Sequence, residues 1–241
     1  MTIQKKKENS GDNIKTTSAG WTFGENVPKN FTSHVSKSVP LYDLGQELIL
    51  EYSEFFVSPN ETVYDVGCST GVLTAKLADK YKDKNVTIVG IDIEHNMINQ
   101  AKKENNRKNI KYTKTDVIKN KFKKTNLIAC YYTIQFTPPK IRQEIFNKLY
   151  ESLNWGGALL MFEKVRAPDA RFQDYSVQIY NEYKLKSGYD EINIVNKSRS
   201  LKRVLEPFSS EANYELMRRS GFKDIMTIQK YVCFEGFLAI K

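Results

Sequence analysis

Cysteine is scarce in this 241-residue chain: Cys68, Cys130 and Cys233 are the whole complement, odd in number and far apart. Such a set argues against a disulfide framework and has no metal-ligand spacing. No metal is expected, and a reducing, cytoplasmic setting is. Histidine is scarcer still, with His34 and His95 alone, and neither is read as a general base. No apolar run approaches the roughly 18 residues a membrane span needs, so no membrane partner is expected. Residues 1–20 lack the apolar stretch of a secretory leader. They hold Lys5, Lys6 and Lys7 among Ser, Thr, Asn and Gly, with almost nothing to bury, and are read as a disordered N-terminal tail. That tail helps explain a hydrophobic share of 40%, a little low for a globular chain. Residues 21–241 suffice for one α/β domain, and no internal repeat is found.

The formal charge is +9. A nucleic-acid partner is one reading. The favoured reading is lysine spread over solvated faces. The densest stretch, Lys119 to Lys124, lies in an expected surface connection, and aromatics do not interleave with the basic residues in a stacking pattern.

The most informative stretch is residues 62–71, Thr-Val-Tyr-Asp-Val-Gly-Cys-Ser-Thr-Gly. A β-branched and aromatic run reaches an acid, turns on glycine and opens a helix. Gly67 and Gly71 carry no Cβ, which lets the backbone approach a nucleotide-like ligand. A second apolar run, Val86 to Ile91, ends in Asp92, placed to accept both hydroxyls of a ribose, with Ile93 beside it. The dinucleotide fingerprint has glycines at its first, third and sixth positions, whereas this loop is Gly67-x-x-x-Gly71. Asp65 beside the loop would repel a pyrophosphate but suits an ammonium or a sulfonium. An ordinary βαβ turn with a chance acid is the bland alternative; two independent positions favour the cofactor.

After residue 60, strands and helices alternate. Strands are expected at 62–66, 86–91, 109–113, 126–132, 157–163, 223–230 and 232–240, and helices at 71–83, 95–105, 138–153 and 209–220. This alternation makes a doubly wound, mostly parallel α/β sheet. The last two strands lie too close for a parallel crossover and must pair antiparallel. Ser209 and Ser210 are cap candidates for the last helix, and Gly221 is its stop. Asn154 to Gly157 reads as a turn into the fifth strand. Residues 21–57 and 164–208 stand outside the alternation and are expected to cover the carboxyl ends of the strands as a substrate lid. An aromatic stripe, Phe172, Tyr175, Tyr180 and Tyr183, is read mostly as helix packing.

The pattern Asp65-x-Gly67-Cys68-Ser69-x-Gly71 followed by Ile91-Asp92 resembles class I S-adenosylmethionine-dependent methyltransferases, whose commoner loop has a third glycine where Ser69 stands. Further motifs narrow the resemblance. They are Trp21-Thr22-Phe23, Ser38-Val39-Pro40-x-Tyr42, Met97, Thr133-x-Gln135-Phe136, Gly156-Gly157-Ala158-Leu159, Glu163-Lys164, Gly188-Tyr189 and Gly221-Phe222. In this order they resemble the carboxy-S-adenosylmethionine synthase family. That resemblance implies a Rossmann-like seven-stranded sheet with an antiparallel last strand, and suggests a homodimer. It implies that S-adenosylmethionine and prephenate give carboxy-S-adenosylmethionine and phenylpyruvate. The product then serves an enzyme that modifies the wobble uridine of certain tRNAs. It also implies that Tyr42 contacts the methionine end of the cofactor, Gly67 forms the cofactor loop, Asp92 holds the ribose, and Asp116-Val117 contact the adenine. The sulfonium acidifies its methyl group, the resulting ylide traps carbon dioxide leaving prephenate, and an arginine pairs with the new carboxylate.

Two positions depart from the family. Counting from Gly188-Tyr189, Lys197 matches the family's lysine, but Ser198 occupies the arginine position and Arg199 follows one residue later. One residue rotates a helical side chain by about 100°. Tyr131 stands where the family has an asparagine near the cofactor. Arg199 is therefore the candidate carboxylate partner in an open register. A conventional methyltransferase on a small molecule or nucleic acid, using plain S-adenosylmethionine, is the alternative. A non-catalytic cofactor-binding subunit comes third.

Overall fold

The computed structural model describes residues 7–12, 14–23 and 27–241. Two short strands, β1 (Glu8–Asn9) and β2 (Lys15–Thr16), pair antiparallel ahead of helices α1 (Val27–Ser38) and α2 (Tyr42–Ser53). The alternating body follows as β3 (Thr62–Val66), α3 (Val72–Lys80), β4 (Thr87–Asp92), α4 (His95–Glu104), β5 (Ile110–Lys114), β6 (Thr125–Tyr131), α5 (Pro139–Ser152) and β7 (Leu153–Lys164). Helices α6 (Ala170–Lys186) and α7 (Glu191–Ser200) interrupt it before α8 (Ser210–Ser220), β8 (Asp224–Tyr231) and β9 (Phe234–Ile240).

Seven strands form one sheet in the order β5-β4-β3-β6-β7-β9-β8. β3 to β7 run parallel, and β9 enters antiparallel between β7 and β8. The expected sheet, with its late antiparallel pair, is what forms. Strand residues alternate between two cores, as period-two side chains must. On β6, Leu127, Ala129 and Tyr131 join Val63, Leu77 and Phe162 on one face. Ile128 and Cys130 join Phe146, Met217 and Phe237 on the other. Both faces are covered, which explains near-continuous apolar strands. Among the described residues no helix is long and apolar enough to cross a membrane.

Local signals act as expected at α8. The Ser209 hydroxyl accepts from the Ala212 amide at 3.2 Å. Gly221 ends the helix at φ 119°, where a Cβ would strike the Tyr150 ring at 2.6 Å. The expected turn at 154–157 is instead the irregular start of β7. Gly156 (φ 76°) and Gly157 bond to Lys241, and pairing with β6 jumps from Thr125–Leu153 to Leu127–Ala158.

The disordered tail is corrected over its described part. Residues 7–12 and 14–20 are folded against α1 and α7. Ile14 is buried with Trp21, Val27 and Met97. Asp12 accepts from His34 at 2.8 Å, Lys37 at 2.8 Å and Tyr189 at 2.6 Å. One buried apolar side chain and one partly buried carboxylate anchor a segment whose composition holds little else to bury. Residues 1–6 and 13 of that expected tail lie outside the described residues.

The aromatic stripe divides. Tyr180 packs on Phe234 (5.2 Å between centroids) and Tyr183 on Tyr231 (6.4 Å), whereas Phe172 and Tyr175 are exposed. The expectation of helix packing holds for the second half of the stripe alone. The first half of α6 projects its rings away from the sheet.

Candidate functional site

A cavity of about 1200 Å³ opens at the carboxyl ends of the parallel strands, where such sheets place their ligands. Residues of α1, α2, α6 and α7 line it together with the loops after β3, β4, β5 and β6. Segments 21–57 and 164–208 thus supply much of its wall.

The loop after β3 is held from below. The amides of Gly67 and Cys68 both donate to the Ile91 carbonyl, at 2.8 and 3.0 Å, tying the loop to the end of β4. The Ser69 amide donates to Asp92 Oδ2 and the Glu94 amide to Asp92 Oδ1, each at 2.9 Å. Asp92 is thereby aimed along the cavity floor, and each oxygen keeps a lone pair for a ribose hydroxyl. Burial raises its pKa. Asp65 lies deeper. It accepts from the Thr74 hydroxyl at 2.6 Å, and burial pushes its pKa up to about 7. Burial likewise raises the Cys68 thiol.

Of the expected cofactor residues, Tyr42, Asp65, Gly67, Cys68, Ser69, Asp92, Ile93, Met97, Asp116, Val117 and Tyr131 all line the cavity. Gly71 does not. It begins α3 at φ 80°, and a Cβ there would meet the Tyr112 hydroxyl at 2.3 Å. Its bareness serves packing against a neighbouring tyrosine, not approach to a ligand, which corrects that expectation. At Gly67 (φ 73°) a Cβ would strike Thr133 at 2.3 Å. Ser69, at the position where a glycine is commoner, does adopt φ 52°. Its hydroxyl donates to Met97 Sδ at 3.4 Å. The Asp116 carboxylate caps its own turn, accepting from the Ile118 amide at 2.8 Å.

Tyr131 is mainly a packing residue. Its ring meets Tyr42, Tyr132 and Phe162 at 4.8–5.0 Å, and its hydroxyl donates to the Tyr42 carbonyl. Ser198 and Arg199 both line the cavity and both are exposed, near the end of α7. Lys197 points inward instead. Its Nζ lies 2.6 Å from His34 Nε2. The His34 ring stacks on Trp21, with 5.5 Å between centroids, and its Nδ1 donates to Asp12. Burial and then Lys197 hold the His34 pKa down to about 4, so the ring is neutral.

Three buried polar atoms on the cavity wall lack a partner among the described residues: Trp21 Nε1, Gln46 Oε1 and Tyr132 Oη. Buried polar groups are nearly always bonded, so these are groups a ligand would satisfy. With Asp92, Asp65 and Gln46 at one end, the residues fit an adenosine ligand with a cationic sulfur and an ammonium.

The methyltransferase-domain family matches residues 63–157. A carboxy-S-adenosyl-L-methionine synthase of Staphylococcus epidermidis is 34% identical over 222 residues, 92% of this chain and 97% of that protein. One from Campylobacter lari is 33% identical, over 91% and 94%. The chain belongs to the carboxy-S-adenosyl-L-methionine synthase family. It is accordingly an S-adenosylmethionine-dependent enzyme, as this site suits. Solved structures extend the likeness at the level of fold. The S-adenosylmethionine-dependent methyltransferase SibL in its apo form has TM-score 0.59 and 14% identity, covering 83% of this chain and 55% of that one. Human N-acetylserotonin methyltransferase in complex with SAM has TM-score 0.53 and 17% identity, covering 91% and 61%.

Several wall residues escape a reading of the sequence as site residues. Gln46 and Tyr132 carry no motif signal. Lys184 sits in a helix of mixed character. Trp21 and Lys197 lie inside the family motifs quoted above, and only three-dimensional contact joins them to His34 and Asp12.

Proposed function

We propose that this protein joins the carboxyl carbon of prephenate to the methyl carbon of S-adenosylmethionine, giving carboxy-S-adenosylmethionine, phenylpyruvate and water: the C–CO2 bond of prephenate breaks, its ring hydroxyl leaves, and the proton lost by the methyl group joins that hydroxide. The bound sulfonium supplies an acidified methyl group. The chain's own residues bind and orient. Asp92 takes the ribose, Asp116 and Val117 border the adenine, Tyr42 and Gln46 face the methionine end, and Asp65 offers negative charge to the ammonium. Segments 21–57 and 164–208 cover the substrate, and Arg199, on the cavity wall, is the candidate partner of the new carboxylate.

The observation that carries this reading is the sign of charge opposite the cofactor acids. Lys164, Lys184 and Lys197 line the same cavity, and none makes an ion pair among the described residues. An uncharged methyl acceptor needs no such wall, whereas a dianion does. Ser198 and Tyr131 stand where the family has arginine and asparagine, and they favour conventional methyl transfer as the second reading. Mass spectrometry of the small molecule released on denaturing the purified protein separates the two. A carboxylated S-adenosylmethionine, formed on adding prephenate, is the expected result. Plain S-adenosylmethionine or S-adenosylhomocysteine, unchanged by prephenate, would assign a conventional methyltransferase. On the favoured reading the protein acts in the cytoplasm as a homodimer, and its product feeds tRNA wobble-uridine modification. Direct contact with nucleic acid is the less favoured use of its positive charge.

A further inference from the structure

We propose that Lys164, Lys184 and Lys197 form the subsite for the carboxylates of the second substrate, with Tyr180 and Phe234 as the wall for its ring. The inference rests on the function proposed above and names the residues that function needs. The three lysines come from three elements: the end of β7, the last turn of α6 and the last turn of α7. Lys164 Nζ stands 4.3 Å from the Tyr180 ring centroid and 5.8 Å from that of Phe234. Lys184 Nζ stands 4.4 Å from the same Tyr180 ring. Lys197 Nζ is 5.6 Å from the Trp21 ring and 5.8 Å from Tyr189. Two ammonium groups therefore share one ring, and a third stands beside Trp21 and Tyr189.

Lysines ordinarily extend to water. Lys184 is 8% exposed and makes no ion pair among the described residues. Burying cations without counter-charge is costly, and an anion arriving from solution would offset that cost. Burial depresses the pKa of all three, and each weighs on the next, bringing Lys184 to about 8 and Lys197 to about 7. A bound dianion would restore their charge. A second observation is independent of charge. Tyr132 Oη and Trp21 Nε1 are buried on this wall without a partner among the described residues, and both can donate to carboxylate oxygens.

Asp65, Asp92 and Asp116 come from β3, β4 and the loop after β5, whereas the three lysines come from β7, α6 and α7. Asp12 and His34 act as positioning residues. Asp12 fixes the Nδ1–H tautomer, so that His34 Nε2 accepts from Lys197 and turns its Nζ toward the cavity.

The test is calorimetric titration of the S-adenosylmethionine-saturated protein with prephenate and, separately, with phenylsuccinate, a dicarboxylate that cannot react. Parent protein is compared with Lys164→Met, Lys184→Met and Lys197→Met. Both dianions should bind the parent. Each variant should weaken both by about tenfold or more, the scale of one charge-assisted hydrogen bond, while S-adenosylmethionine affinity stays within about threefold. Arginine at each position should restore part of the loss. If both dianions bind through the lysines but no carboxylated product forms, the subsite stands and the proposed reaction falls. Unchanged dianion affinity in all three methionine variants overturns the subsite, as does a parent that binds S-adenosylmethionine but neither dianion. Should a methionine variant melt early, glutamine at that position is read in its place.

Discussion

Ser69 carries a backbone conformation that favours glycine, at φ 52°. A left-handed non-glycine residue costs about 1 kcal/mol or more. The serine gives back a weak hydrogen bond to Met97 and leaves its amide on Asp92, which glycine would keep. Ser69→Gly should therefore raise the melting temperature by about 2–4 °C in differential scanning calorimetry, with S-adenosylmethionine affinity little changed. A drop in melting temperature would mean that the Met97 contact outweighs the strain. Asp65 gives a prediction in pH. Its folded pKa is raised to about 7, chiefly by burial. Its contribution to the stability of the free protein is complete below the unfolded value of about 3.8 and is lost as pH rises through 7. An ammonium beside it favours the ionised form, so the melting shift caused by S-adenosylmethionine should grow between about pH 6 and 7.5. Asp65→Asn should flatten that growth. The place of these residues on the cavity wall was legible in sequence because the acid, the glycine turn and Asp92 lie within one βαβ unit. Gly71 was misread for the converse reason: Tyr112, which needs its bareness, sits two strands away in the sheet, on β5.

At the scale of elements, strands and helices of the body were legible from period-two runs, caps and stops. The lid segments stood outside that alternation and were assigned only as insertions, apart from a helix under the aromatic stripe, which α6 bears out. Residues 1–20 read as disordered, and for 7–12 and 14–20 this fails because their stability is not in their composition. It lies in the burial of Ile14 and in Asp12, whose partners His34 and Tyr189 are 22 and 177 residues away. Burial alone would raise the Asp12 pKa, yet hydrogen bonds from Lys37, Tyr189 and His34 bring it down to about 2. Asp12→Ala should cost about 2–3 kcal/mol and lower the melting temperature by about 5–10 °C. A purely structural role would stop there. A positioning role requires the KM for the dianion to rise by more than that for S-adenosylmethionine, measured in one steady-state series. Equal shifts would confine Asp12 to scaffolding.

Across the whole molecule, exposed apolar side chains gather on the two lid helices: Phe172, Tyr175, Val177 and Ile179 on α6, with Ile192 and Val195 on α7. Scattered apolar residues need no explanation, but a concentration on adjacent helices suits a self-complementary contact. On this reading Ile179→Asp combined with Ile192→Asp should convert a dimer into a monomer in sedimentation velocity. A parent that already sediments as a monomer would refute the dimer. The anionic substrate must also reach its lysines through a protein of net charge +9. Its capture should slow as added salt screens that attraction.

The contact between Asp12 and Tyr189 also sets a timetable. A nascent chain lengthens at about 5–20 residues per second, so roughly ten to thirty-five seconds separate the synthesis of these partners. During that interval the first hairpin has no α7 to rest on. Contacts so distant in sequence are slow to close in any case. The parallel part of the sheet and its cofactor loop can assemble early, while the cation-lined half of the cavity must wait for α7 and for Phe234 on β9.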